Sequence, residues 1–472
     1  MRKENVPEKT ICIVGGGIGG LTTGVLFIKQ GYNVKIFEKE KTLGGRALSF
    51  NPAELTIDEY KKLLARFNMN IAFSEPDITT IFEKNMLKGY QLDFGYHAIG
   101  AGATSNIKSI FSEIGIDTEF YESKLGIITE NGYKFPILSR LDKLMLFPRT
   151  LHVLLASEKT VNELDNISLT DTIEKYGKGK MKLVLELFSR VSSTVNNLDL
   201  ISTGEMIRSQ KNILKQGSKI KYQTVGYPKN GLGHITGILA DYIRKNGGQI
   251  YINTPVSKII IENNKAKGVI ANEKKYLSNV VVSNILVQNL FSLADEKHFP
   301  KDYVKSLKSL TGTGSLCAYY SLKEINQDLI GKAFLFIERN IGVDGNDAVG
   351  MIDFLTALSG SNIAPKGQYL IQAYIICTPK EAKNKDVLMK LREILDKKMN
   401  KLIPDFKDIL NWAIYPAIWH LDGVAKTINN DKPETKTPVE NLFLVGDCVK
   451  SPGIGYNCAI TSARLLLEKH FN

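Results

Sequence analysis

The hydrophobic pattern changes period twice within the first forty residues. Thr10–Val14 is an unbroken apolar, β-branched run of strand length. Residues 21–30 then carry apolar side chains at helical spacing, and residues 34–37 return to a continuous buried-type run ending at Glu38. Between the first strand and the helix stands G-x-G-x-x-G, with Gly15, Gly17 and Gly20 as its glycines. This strand–turn–helix–strand order predicts a dinucleotide site. Gly15 permits the tight turn, Gly17 lets backbone approach a pyrophosphate, and Gly20 lets the helix pack close to the strand. The pyrophosphate would rest on free N–H groups at the helix N-terminus. Glu38 falls about 20 residues on, where a carboxylate accepts hydrogen bonds from ribose. A glycine turn without a ligand is the alternative; strand, helix and acid in register favour the nucleotide.

Further along, residues 56–67 predict a helix opened by a Thr56-x-x-Glu59 capping box, with Ile57, Tyr60, Leu63, Leu64 and Phe67 on one face. Residues 101–222 lack strand-like alternation and read as mostly helical. Within them, 139–147 and 149–156 predict helices on either side of a breaker, Pro148. This pair is rich in leucine, with Arg140, Lys143 and Arg149 interspersed. Two destinations suit it, the protein's own core or a membrane interface. Helices are also predicted at 169–176, with Ser168 as cap, and at 181–190. Helix 235–245 ends at Gly247 and Gly248, and strands follow at 249–253, 258–262, 267–271 and 279–284. Residues 314–322, 333–338 and 368–378 alternate like strands, and 386–403 is a charged amphipathic helix. Strand 441–445 and helix 458–469 close the chain.

A length of 472 residues suggests about three domain-sized units. No apolar run reaches spanning length, and the opening M-R-K-E-N-V-P-E-K lacks an apolar signal region. The expectation is a cytoplasmic protein, or one peripheral on the inner face of a membrane. The net charge of +12 fits an anionic lipid surface or a lysine-rich composition without a partner. No basic run with interleaved aromatics points to nucleic acid. The five cysteines show no C-x-x-C spacing, so buried free thiols are expected.

Leu43-Gly44-Gly45-Arg46 adds to the glycine motif. Together with G-G-G-I-G-G-L and the acidic strand end, it resembles the flavoprotein superfamily of amine oxidases, protoporphyrinogen oxidases and phytoene (carotenoid) desaturases. The resemblance continues in Gly89-Tyr-Gln-Leu-Asp93-Phe-Gly95, in residues 226–285, in the Ala-Pro365-Lys-Gly367 turn, and in Gly446-Asp447 followed by Pro-Gly453-Ile-Gly455. Residues 47–88 depart from it, standing where the family has a short loop. They could cap the flavin pocket, contact a partner, or pack on the outside.

The resemblance implies an α/β fold: a Rossmann-type FAD-binding domain (glutathione-reductase-2-like), an α+β substrate domain and a helical lid. It divides the chain into FAD-binding parts at 1–100, 223–289 and 413–472, a helical region at 101–222 and a substrate sheet and helix at 290–412. It implies FAD as cofactor, held by Gly15, Gly17, Ile18, Gly19, Gly20, Glu38, Lys39, Gly45, Arg46, Tyr96, His97, Val256, Asn284, Gly446, Asp447, Gly455, Tyr456 and Asn457. In this reading Arg46 neutralises the pyrophosphate, Val256 meets adenine through its backbone, and Asp447 accepts from ribityl or ribose hydroxyls. The final helix turns its N-terminus to the flavin.

The chemistry implied is hydride transfer between an apolar isoprenoid or lipid-like substrate and flavin. Catalytic candidates are His97, Trp419, His420 and Tyr456, each also compatible with a structural role. Tyr415, Trp419 and Tyr456 are the aromatics that could supply an amine-oxidase cage. No metal-binding, Ser-His-Asp or P-loop pattern competes. A single G-x-G-x-x-G leaves no dedicated nicotinamide domain, so the electron acceptor would be a quinone, oxygen or another protein. Alternatives are a flavin amine or porphyrinogen oxidase, and a non-catalytic flavin-binding interaction protein.

Overall fold

The computed structural model describes residues 9–95, 99–100, 105–215, 224–453 and 455–471. Its first unit is a five-stranded parallel sheet in the order Gln249–Tyr251, Asn33–Phe37, Thr10–Val14, Val280–Ser283 and Leu442–Leu444. Three distant chain segments supply it. Parallel strands buried on both faces read as continuous apolar runs, which is why these strands were visible in sequence. Helices Ile18–Lys29, Leu232–Lys245 and Tyr456–His470 share one core with one face. The other face packs on a three-stranded meander, Val256–Glu262, Lys265–Ala271 and Lys274–Leu277, and on helix Lys301–Ser309.

The second unit is a ten-stranded mixed sheet. Its order is Met69–Glu75, Leu410–Ile418, Gly314–Leu322, Tyr369–Cys377, Ala348–Asp353, Ala333–Glu338, Phe120–Thr129, Thr224–Pro228 and Ile99–Gly100, with Gly132–Lys134 beside Phe120–Thr129. One face shares a core with helices Ile57–Arg66 and Lys180–Ser193; the other buries helix Lys385–Leu402.

Three expectations are corrected here. Residues 47–88 are not an appendage. Helix Ile57–Arg66, capped by the Thr56–Glu59 box, buries Tyr60 and Leu64 in the sheet's core. The strand that follows, Met69–Glu75, forms the sheet's edge against Leu410–Ile418. Second, 101–222 is not free of strands. Phe120–Thr129 pairs through residues 120–124 with Thr224–Pro228 and through 125–127 with Ala333–Glu338. Leu125–Ile128 is buried on both faces, which erases alternation. Third, Pro148 does not break its helix. Arg140–Leu155 is continuous, and Pro148 and Leu144 lie on its exposed side. Water can there serve the carbonyl that proline leaves without a donor.

Candidate functional site

The glycine turn is built as its sequence predicts. Helix Ile18–Lys29 starts at Gly17, and no side chain caps it. A Cβ on Gly20 would stand 2.1 Å from the Gly15 carbonyl oxygen, so only glycine permits this approach of helix to strand. Gly44 and Gly45 adopt positive φ and run beside Gly17; a Cβ on Gly45 would stand 3.5 Å from the Gly17 Cα. Backbone thus walls an open helix N-terminus on two sides, an arrangement suited to an anionic pyrophosphate.

Glu38 is buried at the end of the second strand. It accepts hydrogen bonds from the Gly16 N–H at 2.7 Å and the Glu40 N–H at 2.9 Å. Burial raises its pKa, against the pull of these two donors. The Lys39 side chain is exposed and points toward Glu40, at 3.9 Å.

Asn284 ties the two cofactor motifs together. Its Nδ2 donates to the Gly15 carbonyl at 3.2 Å. Its Oδ1 lies where a Cβ on Gly19 or on Gly446 would intrude, at 2.6 and 3.2 Å. The Gly446 N–H donates to Ser462 Oγ at 2.8 Å. Ser462 therefore fixes the second glycine turn from inside the last helix.

Arg46 and Asp447 meet in an ion pair of 2.7 Å. Arg46 also donates to the Leu421 carbonyl at 2.9 Å, and Asp447 accepts from the Gly423 N–H at 2.9 Å. Burial alone would raise the Asp447 pKa. The Arg46 charge and hydrogen bond, the Gly423 N–H and the Lys432 charge outweigh it and bring the pKa down to about 2. Arg46 is held above the ordinary guanidinium value: burial lowers it, and the Asp447 charge leads the opposing, larger effects. The pair thus pins the loop 420–423 to both glycine turns.

The last helix, Tyr456–His470, begins at Gly455, again with no side-chain cap. The Tyr456 hydroxyl and the Asn457 Oδ1 are buried without a hydrogen-bond partner among the described residues. Asn457 Nδ2 donates to the Gly100 carbonyl at 3.1 Å. His420 Nδ1 is likewise buried and unpartnered. Burial lowers the His420 pKa, and the charges of Arg46 and Lys383 lower it further against Asp447.

Other predicted residues lie apart from this cluster. Trp419 packs toward the core shared with helix Lys385–Leu402, with the Lys383 ammonium 5.2 Å from its ring centre. Tyr415 is buried in that same core and donates to Asp396 at 2.6 Å. Val256 opens the meander and is half-buried there. Tyr96 and His97 lie outside the described residues.

Sequence reading missed Asp422. Its buried carboxylate accepts from the Thr194 hydroxyl at 2.8 Å, and its N–H donates to Thr313 Oγ1 at 2.9 Å. A Cβ on Gly455 would stand 3.5 Å from it. The only signal in sequence was an Asp-Gly pair after a strand, which reads as a turn. Asp93 was seen as a motif position, and its role comes from the fold. Fully buried, it accepts from Ser49 and from the Tyr227 hydroxyl at 2.5 Å, and its backbone carbonyl accepts from Tyr319.

The comparisons with known proteins agree with this geometry. Residues 13–69 match the model of an NAD(P)-binding Rossmann-like domain. A 4,4'-diapophytoene desaturase (4,4'-diapolycopene-forming) of Methylomonas sp. is 23% identical over 304 residues, covering 55% of this chain and 50% of the relative. The match thus spans half the length of that relative. Among solved structures, an oxidoreductase from Methanosarcina mazei superposes with a TM-score of 0.70 at 19% identity, covering 97% of this chain and 100% of the other. Putrescine oxidase bound to putrescine gives 0.64 at 13%, covering 98% of each chain. In its paired glycine motifs, its desaturase match and this shared fold, the chain is similar to the FAD-dependent amine oxidases and phytoene desaturases.

Proposed function

We propose that this protein is an FAD-dependent oxidoreductase that moves a hydride between an apolar, isoprenoid- or lipid-like substrate and the flavin, as a desaturase does. The observation that carries the cofactor reading is the joined cradle. Two uncapped helix N-termini, at Gly17 and Gly455, are linked through Asn284 and the Arg46–Asp447 pair. The orphaned polar atoms of His420, Tyr456 and Asn457 suit a polar ligand that carries both donors and acceptors. In that reading Gly17, Gly44, Gly45 and Arg46 hold the pyrophosphate, Glu38 faces the adenosine ribose, and Asp447 meets the ribityl chain. FAD, when bound, supplies the hydride acceptor or donor.

The chain's own residues account for the rest. The sheet face toward helix Lys180–Ser193 is apolar, with Leu335, Val349, Met351 and Ile376 buried beside Leu187. That packed core keeps water from the inner face of the sheet. The buried Nδ1 of His420 is open to a hydrogen bond with the ligand. Polyamine oxidation has less support, because Tyr415 and Trp419 belong to the sheet's opposite core.

The test is an absorption spectrum of the protein reconstituted with FAD, before and after anaerobic addition of an isoprenoid and lipid extract, with putrescine as a parallel arm. Flavin bands that bleach with the extract alone are expected. Bleaching with putrescine alone would transfer the reading to amine oxidation, and no retained flavin would overturn the cofactor reading.

A further inference from the structure

The loop 420–423 holds Arg46 through the Leu421 carbonyl and Asp447 through the Gly423 N–H. Between those two residues stands Asp422, 6% exposed. Its backbone is tied to Thr313 in both directions. The Asp422 N–H donates to Thr313 Oγ1 at 2.9 Å, and the Thr313 N–H donates to the Asp422 carbonyl at 3.2 Å. One carboxylate oxygen, Oδ2, lies 2.8 Å from the Thr194 hydroxyl. Thr194 ends helix Lys180–Ser193 with a φ of 55°, and it is the only β-branched residue of positive φ among the described residues. That backbone region disfavours branching at Cβ. Hydroxyl contacts to Asp422 and to Thr313 Oγ1, each of 2.8 Å, hold Thr194 in it. The other carboxylate oxygen, Oδ1, has no hydrogen-bond partner among the described residues. It faces the start of the last helix, where a Cβ on Gly455 would stand 3.5 Å away. The cations whose charges reach Asp422, Arg46 and Lys432, are bound to Asp447: one to its carboxylate, the other to its backbone carbonyl at 2.8 Å.

As a latch between Thr194 and the loop, position 422 needs only an acceptor, which an asparagine would supply. Burying a carboxylate costs far more than burying an amide, so the charge points to a use beyond the latch. We propose that Asp422 is a positioning residue of the redox site: it locks the loop that anchors Arg46 and Asp447, and its negative charge lowers the reduction potential of FAD bound in the cradle. The cause is Coulombic. Reduction by hydride adds negative charge to the site, and the positive end of the last helix favours that charge. Asp422 stands beside the same helix end and opposes it. In a buried site, one unit charge acting over about 10 Å shifts an equilibrium that creates a like charge roughly tenfold. The inference rests on the flavin reading and adds to it a residue that sets the cofactor's driving force.

The test is the two-electron reduction potential of the FAD-loaded full chain, measured by equilibration with a reference dye, for the wild type, Asp422→Asn and Asp422→Glu. Flavin content and the circular dichroism spectrum of each are recorded beside it. Asp422→Asn keeps an acceptor for Thr194 and removes the charge. It should retain FAD and shift the reduction equilibrium at least about tenfold toward the reduced form, a rise of about 30 mV. Asp422→Glu keeps the charge and should stay within about threefold of the wild type. Asp422→Ser carries the same expectation as Asp422→Asn should the latter not fold. An unshifted or lowered potential in a flavin-loaded neutral variant would overturn the inference, as would equal shifts in the asparagine and glutamate variants. A wild type that retains no FAD would overturn the cofactor reading itself, and this inference with it.

Discussion

Two neighbouring glycines, Gly17 and Gly20, separate binding from folding. A Cβ on Gly20 would lie 2.1 Å from the Gly15 carbonyl oxygen, and backbone cannot yield there. A Cβ on Gly17 meets the Asn284 amide nitrogen at 3.1 Å, the end of a side chain that can turn. Gly20→Ala is expected to lower stability by about 3 kcal/mol or to prevent soluble folding. Gly17→Ala should cost under about 1 kcal/mol yet weaken FAD retention, since the methyl group fills the backbone approach to phosphate. Chemical denaturation together with flavin content of each variant checks the contrast; equal effects on both readouts would contradict it. The Arg46–Asp447 pair makes a second prediction. The Asp447 pKa is depressed to about 2, so its stabilising effect is full above the unfolded value near 4 and is lost as pH falls through the folded value. That depression corresponds to about 2 kcal/mol. Asp447→Asn should therefore destabilise the cofactor-free protein by at least about 2 kcal/mol at neutral pH, and the gap should close between about pH 4 and pH 2. Urea denaturation across that range tests it, and a gap independent of pH would refute the assignment.

Elements differ in how far their causes lie along the chain. Helix Ile57–Arg66 was legible because Thr56 and Glu59 cap it locally: the Thr56 N–H donates to Glu59 at 2.9 Å, and the Glu59 N–H to Thr56 at 3.3 Å. Removing the cap with Thr56→Ala should cost about 1 kcal/mol in thermal or chemical denaturation, and a cost near zero would deny it a part in stability. The strands of the parallel sheet were legible because burial on both faces leaves a continuous apolar run. Met69–Glu75 and Phe120–Thr129 were not. The first is an edge strand, half-buried along most of its length, and its partner lies some 340 residues away, read from the pairing of Ile414 with Ser74. The second changes partners midway, so its first half is partly exposed and its second half is enclosed. No local period records either arrangement. Asp422 escaped for the same reason: Thr194 and Thr313, which hold it, are distant in sequence. The motifs that bind were visible because strand, turn and helix are contiguous, whereas the groups that face them across the site are assembled only by the fold.

At the scale of the molecule, Asp93 joins the nucleotide unit to the large sheet. Its carboxylate receives the Tyr227 hydroxyl at 2.5 Å, the Gln372 amide at 3.4 Å and the Leu232 N–H at 3.4 Å, along with Ser49. Leu232 begins the helix that packs on the parallel sheet, and Ser49 Oγ in turn accepts from the Gly233 N–H at 2.7 Å. Tyr227 and Gln372 belong to strands of the other sheet. One buried carboxylate therefore satisfies donors from both units. Beside that charge, and chiefly through burial, the Tyr227 pKa stands well above the ordinary tyrosine value, so the phenol stays a donor. Asp93→Asn removes the charge and turns an NH2 group toward donors, with an expected cost of about 3 kcal/mol; Tyr227→Phe should cost about 1–2 kcal/mol. Because both changes act on one hydrogen bond, the double variant should be more stable than the sum of the single losses predicts, by at least about 1 kcal/mol. A double-mutant cycle by urea denaturation measures that coupling. Simple additivity would mean that Asp93 serves only its own strand, and that the two units dock without it.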